Sequence, residues 1–205
     1  MRVVFTRSTA TRLFLMTLIV GALTASLIIS SKRVTHHSAA LAALDESSYV
    51  VLLRHGDAPG RKEPLGFDLH DCSTQRNLSD KGRNEARELG ELLRERAINV
   101  TKVLTSRWCR THETAELLKL GPVENEPAFD NLEFNKNRAA DLLDGERERI
   151  ASWHGPGVLL VVTHSSNIKA LTGLEIEQGA MIVASPTTAS STFRFSKILL
   201  KDIFT

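Results

Sequence analysis

Six residues, VLLVVT at Val158–Thr163, constrain the fold of this chain more than any other stretch. A strand with one face in water alternates apolar and polar side chains. This run does not alternate, so both of its faces are expected to be covered. Tyr49–Leu53 is a second compact apolar run, Lys102–Thr105 is a shorter strand, and Met181–Ala184 and Thr192–Leu200 read as two more. Helical patterns lie between them. Ser79 is a natural N-cap for a helix whose apolar stripe passes through Ala86, Leu89 and Leu92/Leu93 to Ala97. Arg110–Lys119 and Arg138–Trp153 also read as helices, with a short one near Asn167–Leu171, whereas Pro122–Asn137 reads as irregular. Strands and helices in alternation, with uninterrupted apolar strands, argue an α/β fold: a three-layer sandwich with a mostly parallel central sheet flanked by helices. A chain of 205 residues has room for one such domain and an appendage.

The appendage is expected at the N-terminus. Arg2, Arg7 and Arg12 precede Leu13–Ser31, nineteen residues without a charge, and Lys32-Arg33 comes next. A signal-peptide core usually runs about 7–15 residues, and a bilayer-crossing helix needs about 20. Residues 1–33 therefore read as a membrane anchor or signal segment. The positive charge in front favours export of the rest of the chain. Ala40-Leu41-Ala42 has the form of a cleavage site, so a cleaved, secreted form stays open. Residues 34–47 read as a tether on which His36-His37 is solvated, and 48–205 as the exported domain. Cys72 and Cys109, the only cysteines, suit an oxidising compartment, either as one disulfide or as two half-buried thiols. A net charge of +2, with no basic stripe interleaved with aromatics, excludes nucleic acid as the expected partner.

Three strand ends carry the chemistry. Val50–Leu53 runs into Arg54-His55, Val103–Thr105 into Ser106-Arg107-Trp108-Cys109-Arg110, and Val158–Val162 into Thr163-His164-Ser165-Ser166-Asn167. Ligands of open α/β sheets bind outside the carboxyl ends of the strands. Neighbouring strands would thus bring two histidines and at least two arginines to one crevice. Guanidinium forks match the oxygens of a phosphoryl group, and helix N-termini add backbone donors. Positive surroundings disfavour imidazolium, which leaves a neutral histidine able to attack phosphorus while the other groups stabilise charge on its oxygens. The phosphoryl reading thus arises from residue types alone.

Arg54-His55-Gly56, Leu78-Ser79-x-x-Gly82, Ser106-x-x-x-Arg110-x-x-x-Thr114 and Thr163-His164, in this order, resemble the motifs of the histidine phosphatase (phosphoglycerate mutase-like) superfamily, over about Tyr49 to Leu200. The resemblance implies His55 as the phosphorylated nucleophile. Arg54, Arg110 and His164 would complete the phosphate pocket, with Ser165 as a further phosphate contact. It implies no metal and no other cofactor. Arg107 falls in a variable slot of the motif, and Arg76 reads as a surface arginine. Departures are Ser165-Ser166-Asn167 where relatives often carry glycine, and Trp108 where an aliphatic residue is common. The family's leaving-group acid has no clean match: Glu133 is favoured, with Asp130 and Asp57 as alternatives. A body this short suits a phosphatase better than a mutase. With its N-terminus it resembles envelope phosphatases acting on lipopolysaccharide-core phosphates. The expected activity is that of an extracytoplasmic phosphomonoesterase on a small phosphorylated substrate such as an envelope phosphosugar. The alternatives are a non-catalytic phosphate- or phosphosugar-binding module, or a phosphohistidine phosphatase or mutase.

Overall fold

The computed structural model describes residues 48–186 and 193–198. Its sheet has six strands, β1 (Tyr49–Arg54), β2 (Val100–Thr105), β3 (Val123–Asn125), β4 (Val158–Thr163), β5 (Met181–Pro186) and β6 (Phe193–Ile198), in the order β3-β2-β4-β1-β5-β6. The first four in that order run parallel, and β5 and β6 add antiparallel strands at one side. Four α-helices, α1 (Asp80–Glu95), α2 (Cys109–Leu118), α3 (Ala139–Ala151) and α4 (Ser165–Thr172), and three single-turn 3-10 helices, Cys72–Thr74, Pro127–Phe129 and Lys136–Arg138, complete the described elements.

Alternate residues of the same strands face opposite cores, which makes the fold three-layered. Val51, Leu53, Leu160 and Val162 pack with Leu89 and Leu93 of α1 and with Ala115 and Leu118 of α2. Val50, Leu52, Leu159 and Val161 pack with Phe129, Ile150 of α3 and Ile168 of α4 on the other face. All six residues of β4 are buried, as a strand covered on both faces requires.

Local chemistry accounts for the helix that matters most to the site. The Ser79 hydroxyl accepts the Gly82 N–H as N-cap of α1, Asp80 stands in the first turn, and Arg94 in the last. A Cβ on Gly82 would lie 2.3 Å from the Asp57 carbonyl oxygen, so only glycine lets this first turn dock on the backbone just after His55. Gly90 does the same where α1 crosses α2: a Cβ there would lie 2.1 Å from the Leu118 carbonyl oxygen.

The expected elements form, with ends displaced by a few residues and one added strand. α1 stops at Glu95 because Ala97 takes a left-handed conformation, φ 52°, and α3 is confined to Ala139–Ala151. Within the stretch expected to be irregular, Val123–Asn125 pairs in parallel with Val103–Thr105. Three residues on a sheet edge, between Pro122 and Pro127, show no periodicity from which a strand can be read. The anchor or signal segment at 1–33 and the tether lie outside the described residues. Among the described residues no helix is long and apolar enough to cross a membrane.

Candidate active site

β2, β4 and β1 are neighbours, so their carboxyl ends share one edge of the sheet. Arg54 pairs in register with Thr163, and the His55 N–H donates to the Thr163 carbonyl at 3.1 Å. Each histidine is thereby fixed one residue beyond an adjacent strand. Their ring centroids are 5.5 Å apart, and they are 2% and 1% exposed.

Arg110, in the first turn of α2, lies between them with no exposed surface. Its Nε donates to His55 Nε2 at 3.2 Å and its Nη2 reaches His164 Nδ1 at 3.3 Å. One edge of the guanidinium thus faces both imidazoles. Hydrogen bonding sets the tautomers. His55 Nδ1 lies 2.9 Å from the Gly56 carbonyl, which only accepts, so Nδ1 carries the hydrogen and Nε2 keeps its lone pair. Guanidinium only donates, so His164 Nδ1 accepts, and Nε2–H donates to Ser106 Oγ at 2.8 Å. Ser106 Oγ in turn lies 2.8 Å from Thr111 Oγ1, whose hydroxyl donates to the Trp108 carbonyl at 2.7 Å. Burial first, and the Arg110 charge second, hold both imidazoles well below the usual histidine range. Both are neutral at pH 7. A buried imidazole with an available Nε2 lone pair, faced by a guanidinium edge, is built for attack on an electrophile whose oxygens the arginine can take.

Two more arginines add charge. Arg54 Nη1 donates to the Ile176 carbonyl at 2.7 Å, and Arg76 Nη1 to the Ala58 carbonyl at 2.6 Å. The Nε–H groups of both are buried and have no protein partner among the described residues. Both act on each histidine through charge. Two buried cationic donors without acceptors fit the oxygens of an anion. Arg76, read from sequence as a surface residue, is half-buried and belongs to the pocket's charge.

The carboxylates are distributed differently from expectation. Asp130 is buried and ion-paired with Arg107, so neither contacts the histidines. Asp57 accepts from the Ser79 hydroxyl at 2.5 Å. Glu133 is exposed on the loop after Asp130, where its N–H donates to Asn131 Oδ1 at 2.9 Å. Its side chain makes no hydrogen bond to either histidine. Ser165 is exposed at the first position of α4. Asn167 is a pin: its Nδ2 donates to the Asp130 carbonyl at 2.8 Å and to Glu146 Oε1 at 2.5 Å. Trp108 is buried edge-on against His164 with ring centroids 5.4 Å apart, and Phe67 and Phe134 close on its other sides. Cys72 and Cys109 are bonded, with Cα atoms 5.7 Å apart. Among the described residues no three His, Cys, Asp or Glu side chains gather as a metal site requires.

Glu63 is the residue that sequence reading missed. Its side chain is 1% exposed, Oε1 accepts from Arg110 Nη1 at 2.6 Å, and Oε2 accepts the Arg76 N–H at 2.8 Å. Nothing local in Arg61-Lys62-Glu63-Pro64 separates it from a solvated loop carboxylate.

Residues 50–140 match the model of the histidine phosphatase superfamily (branch 1). The mitochondrial serine/threonine-protein phosphatase Pgam5 of Drosophila grimshawi is 30% identical over 73 residues, 36% of this chain and 22% of the relative. The chain thus matches about a fifth of that relative's length. Among solved structures, Bacillus stearothermophilus YhfR superposes with a TM-score of 0.58 at 16% identity, covering 77% of this chain and 100% of that one. A mycobacterial glucosyl-3-phosphoglycerate phosphatase superposes with a TM-score of 0.51 at 16% identity, over 74% of this chain and 97% of its own. At such identities these structures speak for the fold.

Proposed function

We propose that the chain, whose residues 50–140 match the histidine phosphatase superfamily, is a member of it and a metal-independent, extracytoplasmic phosphomonoesterase working through a phosphohistidine on His55. The observation that carries the reading is the neutral His55 Nε2, with the Arg110 edge spanning the gap to His164. In the first step Nε2 attacks phosphorus, the N–P bond forms, and the bond to the leaving oxygen breaks. Arg110 and Arg54 take the phosphoryl oxygens, which are fullest of charge in the transition state, and His164 joins them by moving its hydrogen to Nδ1, with the Ser106 hydroxyl then donating to Nε2. The Arg110 N–H that now holds the lone pair passes to a phosphoryl oxygen as the new bond forms. In the second step water attacks phosphorus, the N–P bond breaks and orthophosphate leaves, with His55 neutral again.

The leaving oxygen needs a proton, and water must later lose one. Glu63 has both oxygens engaged by donors, one of them cationic, and is not free for that role. Glu133 stands beside Phe134, whose ring abuts the Trp108 that backs His164. We assign it the acid and then the base role. Ser165, opening α4 beside His164, is the further phosphate contact.

Export is supported by Leu13–Ser31 behind three arginines and by the Cys72–Cys109 bond, which persists in oxidising compartments. An exported phosphatase of this size suits small phosphorylated substrates of the envelope, phosphosugars among them. The test is turnover of a phosphoester panel by the full chain in detergent solution, with chelator present, for wild type and His55→Ala. Metal-independent turnover abolished by the substitution, with acid-labile, base-stable phosphate trapped on wild type alone, is expected. Folded protein that binds phosphate and turns over nothing would leave the binding-module reading instead.

A further inference from the structure

The nitrogens of Arg110 divide between two tasks. Nε and Nη2 form the edge turned toward His55 and His164, at 3.2 and 3.3 Å. Nη1 points the other way, to Glu63 Oε1 at 2.6 Å and, more weakly, to the Arg76 carbonyl at 3.4 Å. A guanidinium offers a phosphoryl group two parallel N–H bonds from one edge. The edge left for that purpose is the one between the histidines, and the remaining nitrogen is tied down elsewhere.

Glu63 itself does not swing freely. Its second oxygen accepts the Arg76 N–H at 2.8 Å. The Arg76 guanidinium closes back on the Ala58 and Gly60 carbonyls at 2.6 and 3.3 Å. The same loop is bonded to the residue preceding Arg110 through Cys72–Cys109, and Gln75 Oε1 accepts the Cys109 N–H at 3.0 Å. The loop that bears Glu63 and the helix end that bears Arg110 are therefore held to each other at three points.

On the phosphohistidine reading, we propose that Glu63 is the positioning residue that aims Arg110 at the phosphoryl group. It does not compete for that group, because the nitrogen it occupies lies off the edge facing the histidines. It fixes the rotation of the guanidinium about its own long side chain, and it sets a carboxylate against a pocket in which Arg54, Arg76 and Arg110 would otherwise repel one another. A buried cation is oriented cheaply only where its spare donors are already engaged.

The experiment compares the full chain carrying Glu63→Gln, Glu63→Asp or Glu63→Ala with wild type, using p-nitrophenyl phosphate as substrate and orthovanadate as the probe of the phosphoryl site. Thermal melting is followed for each variant, and competent sites are counted by phosphohistidine trapped on quenching. Gln keeps the shape and the acceptor but loses the charge, so it reports even where Ala does not fold. Misplacing Arg110 by about 1 Å is expected to lower kcat per competent site on the order of a hundredfold, with KM changing much less. Vanadate affinity should fall in parallel, and Glu63→Asp should recover part of both. Unchanged kcat and vanadate affinity in Glu63→Gln would overturn the assignment. So would a loss accounted for wholly by fewer competent sites. A failure of the catalytic reading looks different: wild type itself would be inert, or His55→Ala would remain active. Calorimetric binding of vanadate and phosphate then decides about Glu63 alone, with weakening by about tenfold in Glu63→Gln supporting its role and equal binding refuting it.

Discussion

Glu146 lies on α3 with no exposed surface, and burial pushes its carboxyl up to about 8 from an ordinary value of 4.5. Oε1 accepts from Asn167, while Oε2 is buried with no partner among the described residues. At neutral pH the folded protein therefore holds a neutral acid here, while the unfolded chain holds a carboxylate. The folded value is the higher one, so the acid's contribution is fully present below about pH 4.5 and is lost as pH rises toward about 8. At full ionisation that gap corresponds to about 5 kcal/mol, an order-of-magnitude ceiling, since one pH unit is worth about 1.4 kcal/mol. Glu146→Gln keeps the shape and the acceptor for Asn167 without the titration. The assay is urea unfolding of wild type and Glu146→Gln at steps from pH 5 to 9, with equal m-values required so that only stability is compared. The stability of wild type minus that of the variant should fall by about 1.4 kcal/mol per pH unit and flatten above pH 8. Taking the difference cancels the histidines. A difference that does not change with pH would show that Glu146 is ionised or hydrated in the folded state, and a rising one that the fold prefers the carboxylate.

The other expectations concern the site. Because the folded His55 and His164 resist protonation, the acid limb of kcat/KM should lie below pH 6.5, and wild-type stability should fall as pH drops below that value. A limb at or above 6.5 would refute the neutral pair. Glu133→Gln should slow hydrolysis of alkyl phosphates much more than that of p-nitrophenyl phosphate, whose leaving oxygen needs no proton; equal slowing would remove Glu133 from the acid role. Opening the 37-residue separation between Cys72 and Cys109 by Cys→Ser at both should cost about 4 kcal/mol in unfolding on the chain-entropy model, and should lower kcat because the loop bearing Glu63 loosens. Gly82→Ala should depress activity along with stability, measured by melting and turnover, since its Cβ collides with backbone beside His55 rather than with a flexible side chain.

The parts of this site legible in sequence are those set by short-range rules. An unbroken apolar strand ending in a histidine announces both its burial and its anomaly, which is why His55 and His164 stand out, and Ser79 declares its helix by capping. Glu63 is illegible because its partners lie 13 and 47 residues away and its neighbours are loop residues. Glu146 is hidden for the opposite reason: in Asp144-Gly145-Glu146-Arg147-Glu148-Arg149 it looks like one more charge on a solvated face, and only the docking of Asn167 puts it inside. Two cysteines can be counted in a sequence, but whether they meet depends on a loop crossing to the start of another helix. Arg107 and Arg110 differ by less than one helical turn, and tertiary contacts send one to Asp130 and the other to the histidines.

The two imidazoles come directly after strands paired in the same ladder, with Arg54 opposite Thr163. Adjacent strands lie about 4.8 Å apart whatever their side chains. The spacing of the reacting pair is thus inherited from the lattice of the sheet, while the stretches around Phe67 and Phe134 hang from it as separate pieces. Substitutions in those loops leave the separation of the two rings where it was, because that distance is held by backbone hydrogen bonds between β1 and β4.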